Sequence, residues 1–151
     1  MSAEQRLQEL GLTLPEVPSP VASYVNSVRT GKLIHLSGGL PFDGNRRFEG
    51  KVPFDLTLEQ AQEASRVAIL NRLTVLREEA GTLDKVKQIV SLQGFVNSAP
   101  DFYDHPKVIN GASELLLDIF GARGRHTRVA LGVSALPLNA AVEISMIAEL
   151  D

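Results

Sequence analysis

Two opposite charges mark the part of this chain best suited to chemistry. Arg128 opens the run Arg-Val-Ala-Leu-Gly-Val, and Glu143 lies inside Ala-Ala-Val-Glu-Ile-Ser-Met-Ile-Ala over residues 140–148. Both runs are otherwise apolar enough to be buried strands, and a charge among buried apolar residues costs several kcal/mol unless it is paired or solvated in a cavity. An arginine at the floor of a pocket offers a planar fork to a carboxylate, and a nearby glutamate can hold or deprotonate a water. The pair points to chemistry on a small anionic substrate. The plainer alternative is a buried ion pair that ties strands or subunits together.

Composition narrows the field. A chain of 151 residues has the length of one domain with a real core. With 15 Lys and Arg against 18 Asp and Glu, net charge −3, there is no broad basic surface to displace counterions from nucleic acid, so nonspecific RNA or DNA binding is disfavoured. The absence of cysteine excludes a disulfide framework, thiolate zinc sites and a cysteine nucleophile. Residues 1–10 lack a basic region followed by an apolar run, and no stretch approaches the roughly 20 apolar residues that span a bilayer. The expectation is a cytoplasmic protein with no membrane partner. Three dispersed histidines, His35, His105 and His126, give no metal-ligand spacing, and no metal site is expected.

The elements that must position Arg128 and Glu143 are legible from local signals. Ser2, Leu7, Leu10 and Gly11 predict a short capped helix, read as a surface appendage, and Pro15, Pro18 and Pro20 keep the following chain extended. Residues 1–20 are thus set apart as helix and Pro-rich linker, and 21–151 form the main domain. Residues 24–29 and 32–37 read as a hairpin around Thr30-Gly31, with Leu33, His35 and Ser37 on one face and Ile34 and Leu36 on the other. Asp43-Gly44-Asn45-Arg46-Arg47 reads as a solvated turn. Thr57 with Gln60 is a capping box that starts a helix running to Gly81. A strand over 86–95, a helix over 107–120, a flexible basic loop over 121–127 and a final hairpin turning through 134–139 complete the order. If that turn centres near Leu136 and Pro137, Arg128 lies opposite Ser145 and diagonal to Glu143, on one face. Two major helices cover only one face of a sheet, and Val129, Leu131 and Val133 with Ala141, Val142, Ile144, Met146, Ile147 and Ala148 put apolar groups on both. The uncovered face is expected to meet another subunit.

Tyr24-Val25-Asn26-Ser27-Val28, then Leu36-Ser37-Gly38-Gly39-Leu40-Pro41, and above all Thr127-Arg128 followed by Ala135-Leu136-Pro137 and Val142-Glu143-Ile144 resemble the reactive intermediate deaminase (Rid, YjgF-like) superfamily, many members of which carry the label endoribonuclease L-PSP. The resemblance runs from about Tyr24 to Ala148, in a larger variant branch. It implies a chorismate-mutase-like α+β fold of the bacillus type, a mixed sheet with two major helices on one face, and a homotrimer whose sheets form an inner barrel with active sites in the clefts between subunits. It also implies cofactor-free hydrolysis of enamines and imines, such as 2-aminoacrylate and 2-iminobutyrate, to 2-keto acids and ammonia. Carried over, Arg128 grips the substrate carboxylate and Glu143 positions the attacking water. Tyr24 and Asn110 match pocket residues, while Ser37 and Gly38 flank the site, where Ser37 is a candidate donor to an oxyanion. Gly39 stands where a glutamine is common, and Ala130 where a cysteine is frequent. Two other readings stay open at this point: a non-catalytic trimer binding a small carboxylate or regulating a partner, and RNA cleavage. The latter lacks a histidine pair close in sequence, although the strand period brings His126 toward Arg128.

Overall fold

The computed structural model describes residues 1–151, and its frame is a helix whose two ends are written into the sequence. The Thr57 hydroxyl accepts from the Gln60 amide at 3.1 Å while the Gln60 side chain accepts from the Thr57 amide at 2.9 Å. This capping box starts α2 (Leu58–Ala80), and Gly81 ends it. Two further helices are α1 (Ala3–Glu9) and α3 (His105–Phe120). The strands are β1 (Ser27–Thr30), β2 (Leu33–Gly39), β3 (Val86–Asn97), β4 (Thr127–Val133) and β5 (Val142–Leu150). They form one mixed sheet in the order β1-β2-β5-β3-β4, so the chain is α+β with three helices.

The first hairpin forms as expected, with β1 starting three residues later than the pattern suggests. Ile34 and Leu36 are buried and Leu33 and His35 exposed, as the two-residue period requires. The last hairpin does not form. β4 pairs parallel to β3, joined to it through α3, whereas β5 runs antiparallel between β2 and β3. The reason lies in burial. Val142, Ile144, Met146, Ala148 and Leu150 of β5 are all buried, which suits a central strand whose backbone is paired on both edges, while β4 leaves Val129 and Leu131 about half exposed at the sheet edge. Residues 134–141 carry the chain across the end of β3; Lys51 reaches the Ser134 carbonyl there, and Ala140 bridges to Glu49.

This order overturns the shared face of Arg128, Ser145 and Glu143. Arg128 pairs in register with Leu92, and Leu92 with Met146; Leu131 pairs with Phe95, and Phe95 with Glu143. Paired residues share a face, so Arg128 lies on the side of buried Leu92 and Met146, under the helices. Glu143 lies on the other side with Ser145 and Leu131. The open face is also less apolar than expected, because β5 sends Glu143, Ser145, Ile147 and Glu149 to it in alternation. Val28, Leu33, Val129 and Leu131 remain as its exposed large apolar groups.

α1 is not an appendage. Ala3 and Leu7 are fully buried in the same core as α2, α3 and the sheet. The Glu4 carboxylate accepts from the Leu83 amide at 2.9 Å, and Arg6 Nε donates to the Asp118 carbonyl at 2.9 Å. The basic loop is also held. Residues 121–124 form a 3-10 turn, Arg123 donates to the Val86 carbonyl at 2.7 Å, and Gly124 is buried.

The two large helices approach each other closely at Gly111 of α3. A Cβ there would overlap the backbone carbonyl of Gln62 on α2, which is not a flexible atom. Gly111→Ala is expected to destabilise the fold by about 1–3 kcal/mol through overpacking, read as a lower urea midpoint with unchanged slope; an unaltered midpoint would show that the helices have slack here.

Candidate functional site

The sequence-derived site residues separate into two groups. Tyr24, Ser37, Gly38 and Glu143 line one cavity of about 550 Å³, a volume within the usual range for small-molecule sites. Arg128 and Asn110 lie elsewhere, hydrogen-bonded to each other between β4 and α3.

The Glu143 cavity is built on an irregularity of β2. Its pairing with β5 shifts between Leu36 and Gly39, and the Ser37–Gly38 backbone passes beside the Glu143 side chain. A Cβ at residue 38 would collide with the carboxylate, so the glycine leaves room for the Glu143 side chain to stay in this position. α2 holds the irregular stretch from behind. Arg72 Nη1 donates to the Ser37 carbonyl at 2.7 Å, and Asn71 Nδ2 donates to the carbonyls of Leu40 and Phe42, each at 2.8 Å. Residues 18–22 close the cavity from the front, anchored where Asn26 Nδ2 donates to the Pro18 carbonyl at 2.7 Å. Ser37 lines the cavity but does not serve as a free donor: its hydroxyl donates to the Val25 carbonyl at 2.6 Å, which spends its only proton. Tyr24 is partly exposed at the rim.

Burial pushes the Glu143 carboxyl above the ordinary glutamate value, and the positive charge of Arg72 opposes that rise. Arg72 itself is only 2 % exposed. Burial pulls its guanidinium below the usual arginine value, against the favourable negative charge of Glu143. Neither Arg72 nor Asn71 was selected from the sequence, yet a signal exists. Ala64, Ala68, Arg72 and Leu76 follow one another at four-residue spacing, so the arginine stands in the buried stripe of α2.

The second group centres on Arg128. Its Nη1 donates to Asn110 Oδ1 at 2.8 Å and to Ser113 Oγ at 3.1 Å, and its Nη2 donates to the Pro106 carbonyl at 3.3 Å. A guanidinium carries five N–H donors, so two have no acceptor in the chain. Burial lowers its pKa from the usual arginine value. His126 joins this group, as the strand period suggests: its Nε2 is 2.9 Å from Ser113 Oγ and its Nδ1 is 2.7 Å from the Gly124 carbonyl. A carbonyl only accepts, so Nδ1 carries a proton; in the neutral ring Nε2 accepts from Ser113, whose oxygen in turn accepts from Arg128. Ser113 is a third residue the sequence did not single out. The other histidines have separate partners, His105 with Ser98 at 3.1 Å and His35 on the exposed face of β2.

The chain has no cluster of three or more His, Cys, Asp or Glu side chains arranged to hold a metal ion, and no helix is long and apolar enough to cross a membrane.

Comparison with known proteins agrees with this geometry at the level of the fold. Residues 4–150 match the family model described as "YjgF/chorismate_mutase-like, putative endoribonuclease". The chain is 42 % identical to Protein TCP17 of Trypanosoma cruzi, over 96 % of this chain and 92 % of that protein. It is 26 % identical to a 2-iminobutanoate/2-iminopropanoate deaminase of Dermatophagoides farinae, over 93 % of this chain and 95 % of that one. The crystal structure of Atu1372 from Agrobacterium tumefaciens, a protein of unknown function, superposes with a TM-score of 0.91 at 40 % identity, covering 99 % of this chain and 92 % of that one. From residue 4 to residue 150, this chain belongs to the YjgF/chorismate mutase-like family.

Proposed function

We propose that the protein hydrolyses 2-imino acids to 2-keto acids and ammonia at a site assembled from two copies of the chain. One copy supplies Glu143 in its cavity with Tyr24, Ser37 and Gly38; the other supplies Arg128, held by Asn110 and Ser113. The observation that carries this reading is the half-buried Glu143 carboxyl inside a small-molecule cavity, with its pKa raised toward the range of a general base. The deaminase relative supports the reaction class. The exposed Val129 and Leu131 on the open face of the sheet support an assembly, and the family resemblance favours a homotrimer.

The chemistry follows from the groups present. The two unused N–H donors of Arg128 hold the substrate carboxylate and fix the adjacent C=N carbon near Glu143. Glu143 takes a proton from water as the water oxygen bonds to that carbon, and the C=N π electrons go to nitrogen, which gains a proton. The carbinolamine then collapses: the C–N bond breaks, ammonia leaves, and the hydroxyl proton is lost as C=O forms. Overall, one imine and one water give one keto acid and one ammonia, with no redox change.

Ammonia release from 2-iminobutyrate should fall by at least about 100-fold in Arg128→Ala and in Glu143→Gln, as is usual for losing a positioning charge or a general base. Equal rates in Arg128→Ala and wild type would end the proposal. Mixing denatured Arg128→Ala and Glu143→Gln chains and refolding them together should restore activity at about a quarter of the sites, those pairing an intact glutamate with a neighbour's intact arginine. No recovery in a folded mixed oligomer would refute a site shared between copies.

The acid limb of the pH profile tests Glu143 separately. The reactive form is the carboxylate, so kcat/KM must fall as pH drops through the glutamate's pKa. Because burial raises that pKa, the fall should begin above the ordinary carboxylate range. The limb should vanish from the residual activity of Glu143→Gln; a persisting limb would assign it to another group.

A further inference from the structure

Arg72 is a buried cation without a counterion. Its guanidinium makes one hydrogen bond within the chain, to the Ser37 carbonyl, and no ion pair. Nε is fully buried and has no acceptor at all. The residue lines the same cavity as Glu143, and the two charges act on each other without touching. Space for the guanidinium comes from Gly39. A Cβ there would stand 2.5 Å from Arg72 Nε and 2.9 Å from the Ala68 carbonyl, so the glycine at 39 makes room for the Arg72 side chain. A charge buried at this cost and left with donors unspent calls for an acceptor that the chain does not contain.

We infer that Arg72 receives a second acidic group of the substrate, so that the cavity selects 2-imino dicarboxylates over their monocarboxylate counterparts. The inference rests on the reading of Arg128 and Glu143 given above and adds the substrate class. One carboxylate goes to Arg128 of the neighbouring copy. The side-chain carboxylate enters the cavity and meets Arg72, with Glu143 between them at the imine carbon. The cavity, about 550 Å³, is roomy for a short-chain imino acid, and the Arg72 cation in its wall, from the middle of α2, offers a partner to a longer acidic side chain. Charge balance agrees: two arginines and one glutamate leave a net positive site, suited to an anion of more than one charge.

The test is equilibrium binding of two stable keto-acid probes, 2-oxobutyrate and 2-oxoglutarate, by calorimetry. Wild type is expected to bind 2-oxoglutarate at least about tenfold more tightly. Arg72→Met should weaken 2-oxoglutarate about ten- to a hundredfold more than it weakens 2-oxobutyrate, the usual worth of a hydrogen bond to a charged group; a loss common to both probes reports the support Arg72 gives the Ser37 carbonyl. Arg72→Lys, which keeps the charge but not the fork, should retain part of the preference and is the variant to use if Arg72→Met does not fold. No preference in wild type would overturn the inference, as would equal weakening of both probes in Arg72→Met, the signature of a guanidinium that merely supports Ser37. If Arg128→Ala leaves 2-oxobutyrate binding unchanged while Arg72→Met selectively loses 2-oxoglutarate, the Arg128 assignment fails and the role of Arg72 stands.

Discussion

The Glu143 cavity depends on one contact, the Arg72 guanidinium against the Ser37 carbonyl. β2 cannot follow β5 smoothly past Leu36, because the register between them shifts before Gly39. A carbonyl in an interrupted ladder needs a donor, and a buried carbonyl without one costs about 1–3 kcal/mol. Arg72 supplies it from α2, and its neighbour Asn71 holds the Leu40 and Phe42 carbonyls in the same way. Two consecutive residues of one helix thereby fix the whole stretch that passes Glu143. The irregularity keeps Glu143 beside open space instead of beside a paired strand. A regular β2 would close over it.

The same sheet order that makes this cavity removes Arg128 from it. With β3 between β4 and β5, and with Arg128 and Glu143 in registers of opposite parity, the two side chains leave opposite faces of the sheet. No rotamer change brings them together within a chain. Arg128 faces α3, where Asn110, Ser113 and Pro106 fix its fork, and His126 fixes Ser113 in turn. Each group is complete as a support and incomplete as a site. That division favours an assembly in which one copy's sheet edge approaches another copy's cavity.

Local signals in the sequence were faithful; long-range pairing was not encoded in them. The Thr57–Gln60 capping box, the Gly81 stop and the alternation of β2 involve residues within a few positions of one another, and each appears where the pattern places it. Strand order depends on which strand buries more apolar surface once all are present. The 134–139 turn looks like a hairpin turn locally, but β5 gains more from two paired edges at the sheet centre than from β4 at the rim. The α1 helix shows the same limit: Leu7 reads as one side of a surface helix until α2 and α3 offer it a core. Arg72 was legible in principle, since it interrupts the buried Ala64–Ala68–Leu76 column. What made it significant, the missing Cβ of Gly39 above it, is a contact across 33 residues that no local period reveals.

Keeping Arg128 and Glu143 apart within the chain also has an electrostatic consequence. Had they met on one face, they would have formed a strong buried ion pair, the guanidinium donors would have been satisfied, and the carboxyl would have been driven well below its ordinary pKa. Such a pair stabilises a fold modestly and leaves nothing for a ligand. Separated, Arg128 retains two unspent N–H donors, and Glu143 is governed by burial, which raises its proton affinity, with only the charge of Arg72 in opposition. A carboxylate of raised basicity and an arginine with a vacant fork are what hydrolysis of an anionic imine requires from its two sides. The topology therefore keeps the two groups from neutralising each other, which the proposed shared site requires.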